Sequence, residues 1–137
     1  MNPPKRFLNV GGNNKGIPLA LEYRGWEHVM LDIDPRSNAD LICDARQLAT
    51  LAPSAFDSVY CSQNLEHYHR HEGLQVLKGF RHILKNDGFA LWLDLGAARA
   101  AAPARLTRAR PRRRVRCFRA CPTGAALRRC RSRELFT

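Results

Sequence analysis

Residues 7–16, Phe-Leu-Asn-Val-Gly-Gly-Asn-Asn-Lys-Gly, set the most restrictive condition on how this chain folds. Phe7, Leu8 and Val10 make the short apolar run that a buried parallel strand needs, and it enters a turn holding Gly11, Gly12 and Gly16. Glycine serves where the backbone must take a positive φ or come close to a ligand, and Asn13 and Asn14 beside it tolerate the same left-handed conformation. A strand passing into such a loop is the opening of a nucleotide-binding sheet. By itself it equally fits an ordinary βα turn.

The residues that follow repeat the strand-then-helix order. His28–Asp34 is an apolar run ending in acids and stopped by Pro35, and Leu41–Cys43 followed by Asp44 repeats it on a smaller scale. Phe56–Cys61 and Phe89–Leu93 read as two further strands. Between them, Ile17–Tyr23 reads as a short helix closed by Gly25, and Ala45–Leu51 as one or two helical turns. Leu74, Leu77, Phe80 and Leu84 recur at spacings that mark one buried helix face, with Arg81, His82 and Lys85 at its negative C-terminal end. A turn at Asn86-Asp-Gly88 leads into the last strand. The expected class is α/β: a Rossmann-like, doubly wound, mainly parallel sheet, incomplete at its C-terminal side.

Charge divides the chain in two. The net charge is +11, yet residues 1–96 hold 10 Lys or Arg against 11 acids, whereas residues 97–137 hold 13 Arg against the single acid Glu134. The tail has no Asp, Asn, Gln, Lys, His, Ile or Tyr and no amphipathic period, so residues 1–96 are expected to form the domain and 97–137 a disordered Arg/Ala/Pro-rich tail. No run of about 18 apolar residues exists, so no membrane span is expected. The N-terminus lacks an apolar core with a cleavage site, which points to the cytoplasm and to reduced thiols for the five cysteines.

In a doubly wound sheet the ligand lies beyond the carboxyl ends of the strands. Gly11, after the first strand, and Asp32, at the end of the second, then share one crevice. A carboxylate at that second position accepts hydrogen bonds from both ribose hydroxyls, and Asp44 at the end of the third strand is placed for an adenine amino group. A dinucleotide fingerprint needs a middle glycine so that pyrophosphate can approach the backbone, and here Asn13 stands in its place. The spacing therefore favours an adenosine ligand without phosphates over NAD. His67, His69 and His71 alternate but lack a carboxylate or Cys at ligand spacing, so no metal is expected; Cys61 reads as a small buried hydrophobe.

These residues resemble the class I S-adenosylmethionine-dependent methyltransferases, and among them the methyltransferase type 11 group, from about Phe7 to Ala90. Leu8-Asn-Val-Gly-Gly-Asn13 is similar to the family's first motif, with Asn9 where an acid is usual and Asn13 departing from G-x-G. Leu31-Asp-Ile-Asp-Pro35 resembles the segment whose first Asp binds ribose, and Cys43-Asp-Ala45 the adenine-contacting pair. Phe56–Ser62 followed by Leu65-Glu-His67 is the most specific match, to the fourth motif, and Leu84–Gly88 looks like the Leu-Lys-Pro-Gly-Gly turn with two substitutions. The resemblance implies S-adenosyl-L-methionine as cofactor, held by Asn9, Gly11, Gly12, Asn13, Asp32, Ile33, Asp44, Ala45 and Ser62. It implies methyl transfer to an acceptor that the sequence does not identify, with His67 and Tyr68 as candidates to face it.

Two alternatives stand beside this reading: an NAD-binding oxidoreductase, and an RNA-binding protein acting through the Arg-rich tail. A shifted reading frame in a GC-rich gene would also yield Arg, Ala and Pro without Lys, Ile or Asn, and the loss of resemblance after about residue 90 favours that origin for the tail.

Overall fold

The computed structural model describes residues 2–12, 15, 16, 19, 21–62, 64–94, 114–120 and 127–129. Its strands are β1 (Arg6–Val10), β2 (Glu27–Asp32), β3 (Leu41–Ile42), β4 (Phe56–Ser62), β5 (Leu84–Asp94), β6 (Arg114–Ala120) and β7 (Leu127–Arg129), with the helix α1 (Arg70–Ile83) before β5. They form one sheet in the order β3-β2-β1-β4-β5-β6-β7. The first five strands are parallel, and β6 and β7 are antiparallel additions at the β5 edge. From β1 the chain builds outward through β2 to β3, then returns to the other side of β1 for β4 and β5. That reversal between β1 and β4 is the topological switch point where sheets of this kind bind ligands, and the doubly wound, Rossmann-like class follows from it.

Side chains alternate between the two faces along every strand. On one face Leu8, Val10, Val29, Leu31, Val59, Cys61 and Ala90 pack against Val76, Phe80 and Ile83 of α1 and against Leu48 of the 3₁₀ turn Ala45–Thr50. A side chain on Gly79 would place its Cβ 2.6 Å from the Leu48 Cβ, so glycine is what lets α1 approach that turn. On the opposite face Phe7, Tyr60 and Leu91 surround Tyr23. Its ring stacks on Phe7 at 4.2 Å, and its hydroxyl lies 2.8 Å from the buried Ser58 Oγ, so the aromatic body and its polar end are both satisfied.

Several elements differ from the sequence expectation. The buried face of α1 is Val76, Gly79, Phe80 and Ile83, while Leu74 is 54% exposed. Leu74 sits two residues before Val76, about 200° around the helix axis, so it alone departs from the expected stripe, whose Leu77, Phe80 and Leu84 do pack into the core. Gly88 does not end a turn that precedes the strand. β5 begins at Leu84, Phe56 pairs with Leu84 and Ser58 with Phe89, so Lys85–Gly88 bulge out opposite Asp57 alone. A Cβ on Gly88 would lie 3.1 Å from the Asp57 carbonyl oxygen.

β2 stops at Asp32, two residues earlier than the apolar run suggested, because the Asp34 N–H donates to Asp32 Oδ1 at 2.9 Å and closes an Asx turn. The first expected helix is seen as a 3₁₀ turn, Leu21–Tyr23, closed by Gly25 at φ +81°; Ile17, Pro18 and Ala20 lie outside the described residues. The expectation of a tail without structure is corrected for β6 and β7, which are hydrogen-bonded strands although their sequences carry no amphipathic period. Strand pairing through the backbone needs no such period, and Trp92 and Phe118 stack across it at 4.2 Å.

Candidate functional site

Strand register brings three of the expected site residues, Gly11, Asp32 and Ser62, to one rim. Val10 is paired with Leu31 on one side and Cys61 on the other, so the next residue along each strand, Gly11, Asp32 and Ser62, sits at the carboxyl ends of β1, β2 and β4. Asp32 is in turn paired with Ile42, and Ser62 with Leu93. Gly11 takes φ +74° and its N–H donates to the Leu31 carbonyl at 2.9 Å, which folds the chain back over the end of β2. A Cβ at Gly11 would collide with the Asn64 side chain, which reaches across from the end of β4.

Beneath this turn lies Asn9, 1% exposed, whose Nδ2 would be 2.6 Å from a Cβ added to Gly12. The same Nδ2 is 3.2 Å from His28 Nε2. Burial, and then the positive charge of Lys15, lower the His28 pKa from its ordinary value, with Asp40 acting in the opposite direction. Lys15, further along the glycine loop, pairs with Asp40 at 2.7 Å, and Asp40 also accepts the Met30 N–H at 2.8 Å. The Lys15 hydrogen bond, followed by that of Met30, holds the Asp40 carboxyl below its usual range. The loop after β1 is thereby tied to the connection between β2 and β3. Asn13 lies outside the described residues.

The acids at the rim differ in what occupies them. Asp32 spends Oδ1 on the Asp34 N–H, and among the described residues no donor reaches its other oxygen. Asp44 is committed on both oxygens: it caps the Ala45–Thr50 turn by accepting the Arg46 N–H at 2.8 Å, and it forks with the Arg46 guanidinium at 2.9 Å from Nε. The Arg46 hydrogen bonds hold the Asp44 carboxyl below the usual range. Arg46 also donates to Glu72 at 2.7 Å, and Glu72 accepts the His69 N–H at 3.0 Å at the start of α1. Ala45 is buried, whereas Ile33 next to Asp32 is 63% exposed.

Beyond β4, the 3₁₀ turn Leu65–His67 carries the exposed His67, whose N–H donates to the Asn64 carbonyl at 3.1 Å. Tyr68 is half-buried against the core. Burial, and then the negative charge of Asp44, push its phenol pKa up, so the hydroxyl keeps its proton. Burial also pushes the Cys61 thiol up to about 12, so it packs as a hydrophobe. Among the described residues no three His, Cys, Asp or Glu side chains group to hold a metal ion, and no helix is long and apolar enough to cross a membrane.

Sequence reasoning missed Asn64, His28 and Arg46. Asn64 had only its place just past a strand end to mark it. His28 pairs with Phe7 and so lies two residues from Met30, the partner of Asn9, on the same sheet face, a relation visible only once β1 and β2 are paired. Arg46, two residues after Asp44, carries the signal of a capped turn with its own counter-charge.

The family of methyltransferase domains matches residues 8–92, which spans β1 to β5. No curated protein sequence matches the chain. Among solved structures it resembles a protein from Pyrococcus horikoshii (27% identity, 68% of this chain, 47% of that one, TM-score 0.55). It also resembles a SAM-dependent methyltransferase from Archaeoglobus fulgidus (20%, 66% of this chain, 44% of that one, TM-score 0.53). A third is the Burkholderia thailandensis 1,6-didemethyltoxoflavin-N1-methyltransferase, solved with bound 1,6-didemethyltoxoflavin and S-adenosylhomocysteine (19%, 66% of this chain, 44% of that one, TM-score 0.51). The chain thus spans under half the length of these three structures. The match over more than half of the chain, on the strands that carry the rim, shows that it belongs to the methyltransferase type 11 domain family.

Proposed function

We propose that residues 1–96 bind S-adenosyl-L-methionine at the β1–β2–β4 rim and that the chain belongs to an enzyme transferring its methyl group to an acceptor of unassigned chemistry. The observation that carries this reading is the pairing of a positive-φ Gly11 with an Asp32 oxygen that no described protein donor reaches. A backbone turned back at Gly11 brings the chain close to the end of β2, and an open carboxylate oxygen there suits a ribose hydroxyl. In this reading Asp32 binds the ribose and the exposed Ile33 covers the adenine. Asp44 and Ala45 meet the adenine edge, the amino group sharing a carboxylate that Arg46 already orients. Gly11, Gly12 and Ser62 border the methionine end, with Asn9 beneath the glycine turn.

The cofactor supplies an activated methyl on a sulfonium, so the protein provides position rather than a nucleophile. Tyr68, kept protonated by its surroundings, serves an acceptor as a hydrogen-bond donor and not as a base. His67 is the exposed imidazole beside it. The free thiols Cys43 and Cys61 suit a reducing compartment, for which we infer the cytoplasm. Calorimetric titration with S-adenosylmethionine and, separately, NAD tests the reading: binding of the first and not of the second supports it, and the reverse overturns it.

A further inference from the structure

We infer that Asn9 and His28 form a positioning pair for the Gly11–Gly12 turn, and that the turn takes its cofactor-binding form when His28 accepts the Asn9 amide hydrogen. This rests on the cofactor reading above. Asn9 is one of two buried polar residues in the described core, and a buried amide needs partners. Its side chain fills the space under Gly12 where a Cβ would go, so the height of the turn depends on where that amide stands. His28 fixes it. The imidazole stacks on Phe7 at 4.6 Å, which sets the ring plane, and presents Nε2 to Asn9 Nδ2 at 3.2 Å.

An amide N–H can only donate, so Nε2 must offer a lone pair and the ring must be neutral. A protonated ring would set N–H against N–H. The charged groups around the ring are Lys15 from the glycine loop, which opposes protonation, and Asp40 from the segment before β3, which favours it but is already paired with Lys15. Asn9 and Phe7 on β1 are uncharged, and Glu27 on the same strand as His28 pairs with Arg6 at 2.9 Å. Burial comes first among the causes that keep the ring neutral. Acid therefore forces the Asn9 amide either to turn over and present Oδ1 to the protonated ring or to move away from it, and either change takes place directly under the turn.

The test is calorimetric titration of S-adenosylmethionine from neutral pH down to about pH 5, with the His28 imidazole followed by NMR. Wild-type affinity should fall below the imidazole pKa, by on the order of tenfold for each pH unit. His28→Gln, whose side-chain oxygen accepts at any pH, should restore the contact and flatten the profile. Asn9→Asp should raise the imidazole pKa. A His28→Gln profile that keeps the wild-type slope overturns the proposal. So does an imidazole pKa that Asn9→Asp leaves unmoved, even where binding is normal. Absence of binding by the wild type at neutral pH overturns the cofactor reading itself, and this inference with it.

Discussion

The Asn64 side chain lies against Gly11 so closely that a Cβ on the glycine would overlap it, which locks the end of β4 to the turn after β1. Gly11 also holds φ +74°, a region that costs a residue with a side chain about 1–2 kcal/mol. Gly11→Ala should therefore lower the melting temperature and abolish cofactor binding. Adding Asn64→Ala should relieve the collision and leave the backbone cost, so the double variant should recover part of the stability of the single one. Full recovery in thermal unfolding would show that the φ contributes nothing.

Asp32 differs from its neighbours in having an oxygen with no described protein donor. Removing a charged acceptor of a ligand hydroxyl costs about 1.5–3 kcal/mol, roughly ten- to a hundredfold in affinity. Asp32→Ala should weaken S-adenosylmethionine binding by that factor in calorimetry. Equal affinity would remove Asp32 from the site.

The strands β1, β2 and β4 and the rim they form were legible in the sequence because a buried parallel strand is a short apolar run, and because Gly11, Asp32 and Ser62 each follow such a run directly. What stayed hidden depends on pairing. That Asn9 rests on His28 follows from the register of β1 with β2, and that Asp44 is already held by Arg46 follows from a local cap, which a spacing of motifs does not reveal. α1 was found and Leu77, Phe80 and Leu84 do face the core, but Leu74 was wrongly counted with them, since leucines populate exposed helix positions as well. The tail strands were missed because antiparallel edge pairing uses backbone groups, on which arginine-rich composition is silent.

Asp57 joins three segments: it accepts the Arg6 N–H at 2.9 Å, takes Lys85 Nζ at 3.0 Å, and stands opposite the bulge in β5. Burial raises its pKa, but the Arg6 N–H and Lys85 together outweigh this and leave it below the ordinary 3.8. A carboxyl depressed in the folded state contributes stability that is complete above its unfolded value and is lost as pH falls below about 4. Asp57→Asn should destabilise the protein at neutral pH by about 1–3 kcal/mol in denaturant unfolding. The gap between variant and wild type should close as the acid limb is crossed. A gap that persists unchanged in acid would contradict this assignment.

The buried Tyr23 hydroxyl and Ser58 Oγ meet at 2.8 Å between the 3₁₀ turn and β4. Tyr23→Phe and Ser58→Ala should each destabilise, and the double variant by less than their sum, with a coupling of about 1 kcal/mol. Strict additivity in a double-mutant cycle would mean that the two hydroxyls act independently and that Tyr23 is held by its ring contacts alone.

β6 covers the edge of β5 along the whole run from Phe89 to Asp94, and Phe118 stacks on Trp92 at 4.2 Å. An uncovered strand of that length presents a row of unpaired N–H and C=O groups that recruits other chains. Deleting residues 97–137 should therefore turn the protein toward association, seen as a shift to larger species in size-exclusion chromatography as concentration rises. Phe118→Ala keeps the backbone pairing and removes only the ring contact, so it should cost about 0.5–1.5 kcal/mol without changing the size. A deletion variant that stays monomeric and melts with the full chain would show that β5 needs no cover. The arginine-rich segment would then be no part of the domain's stability, and the pairing of β6 with β5 would contribute nothing measurable to it.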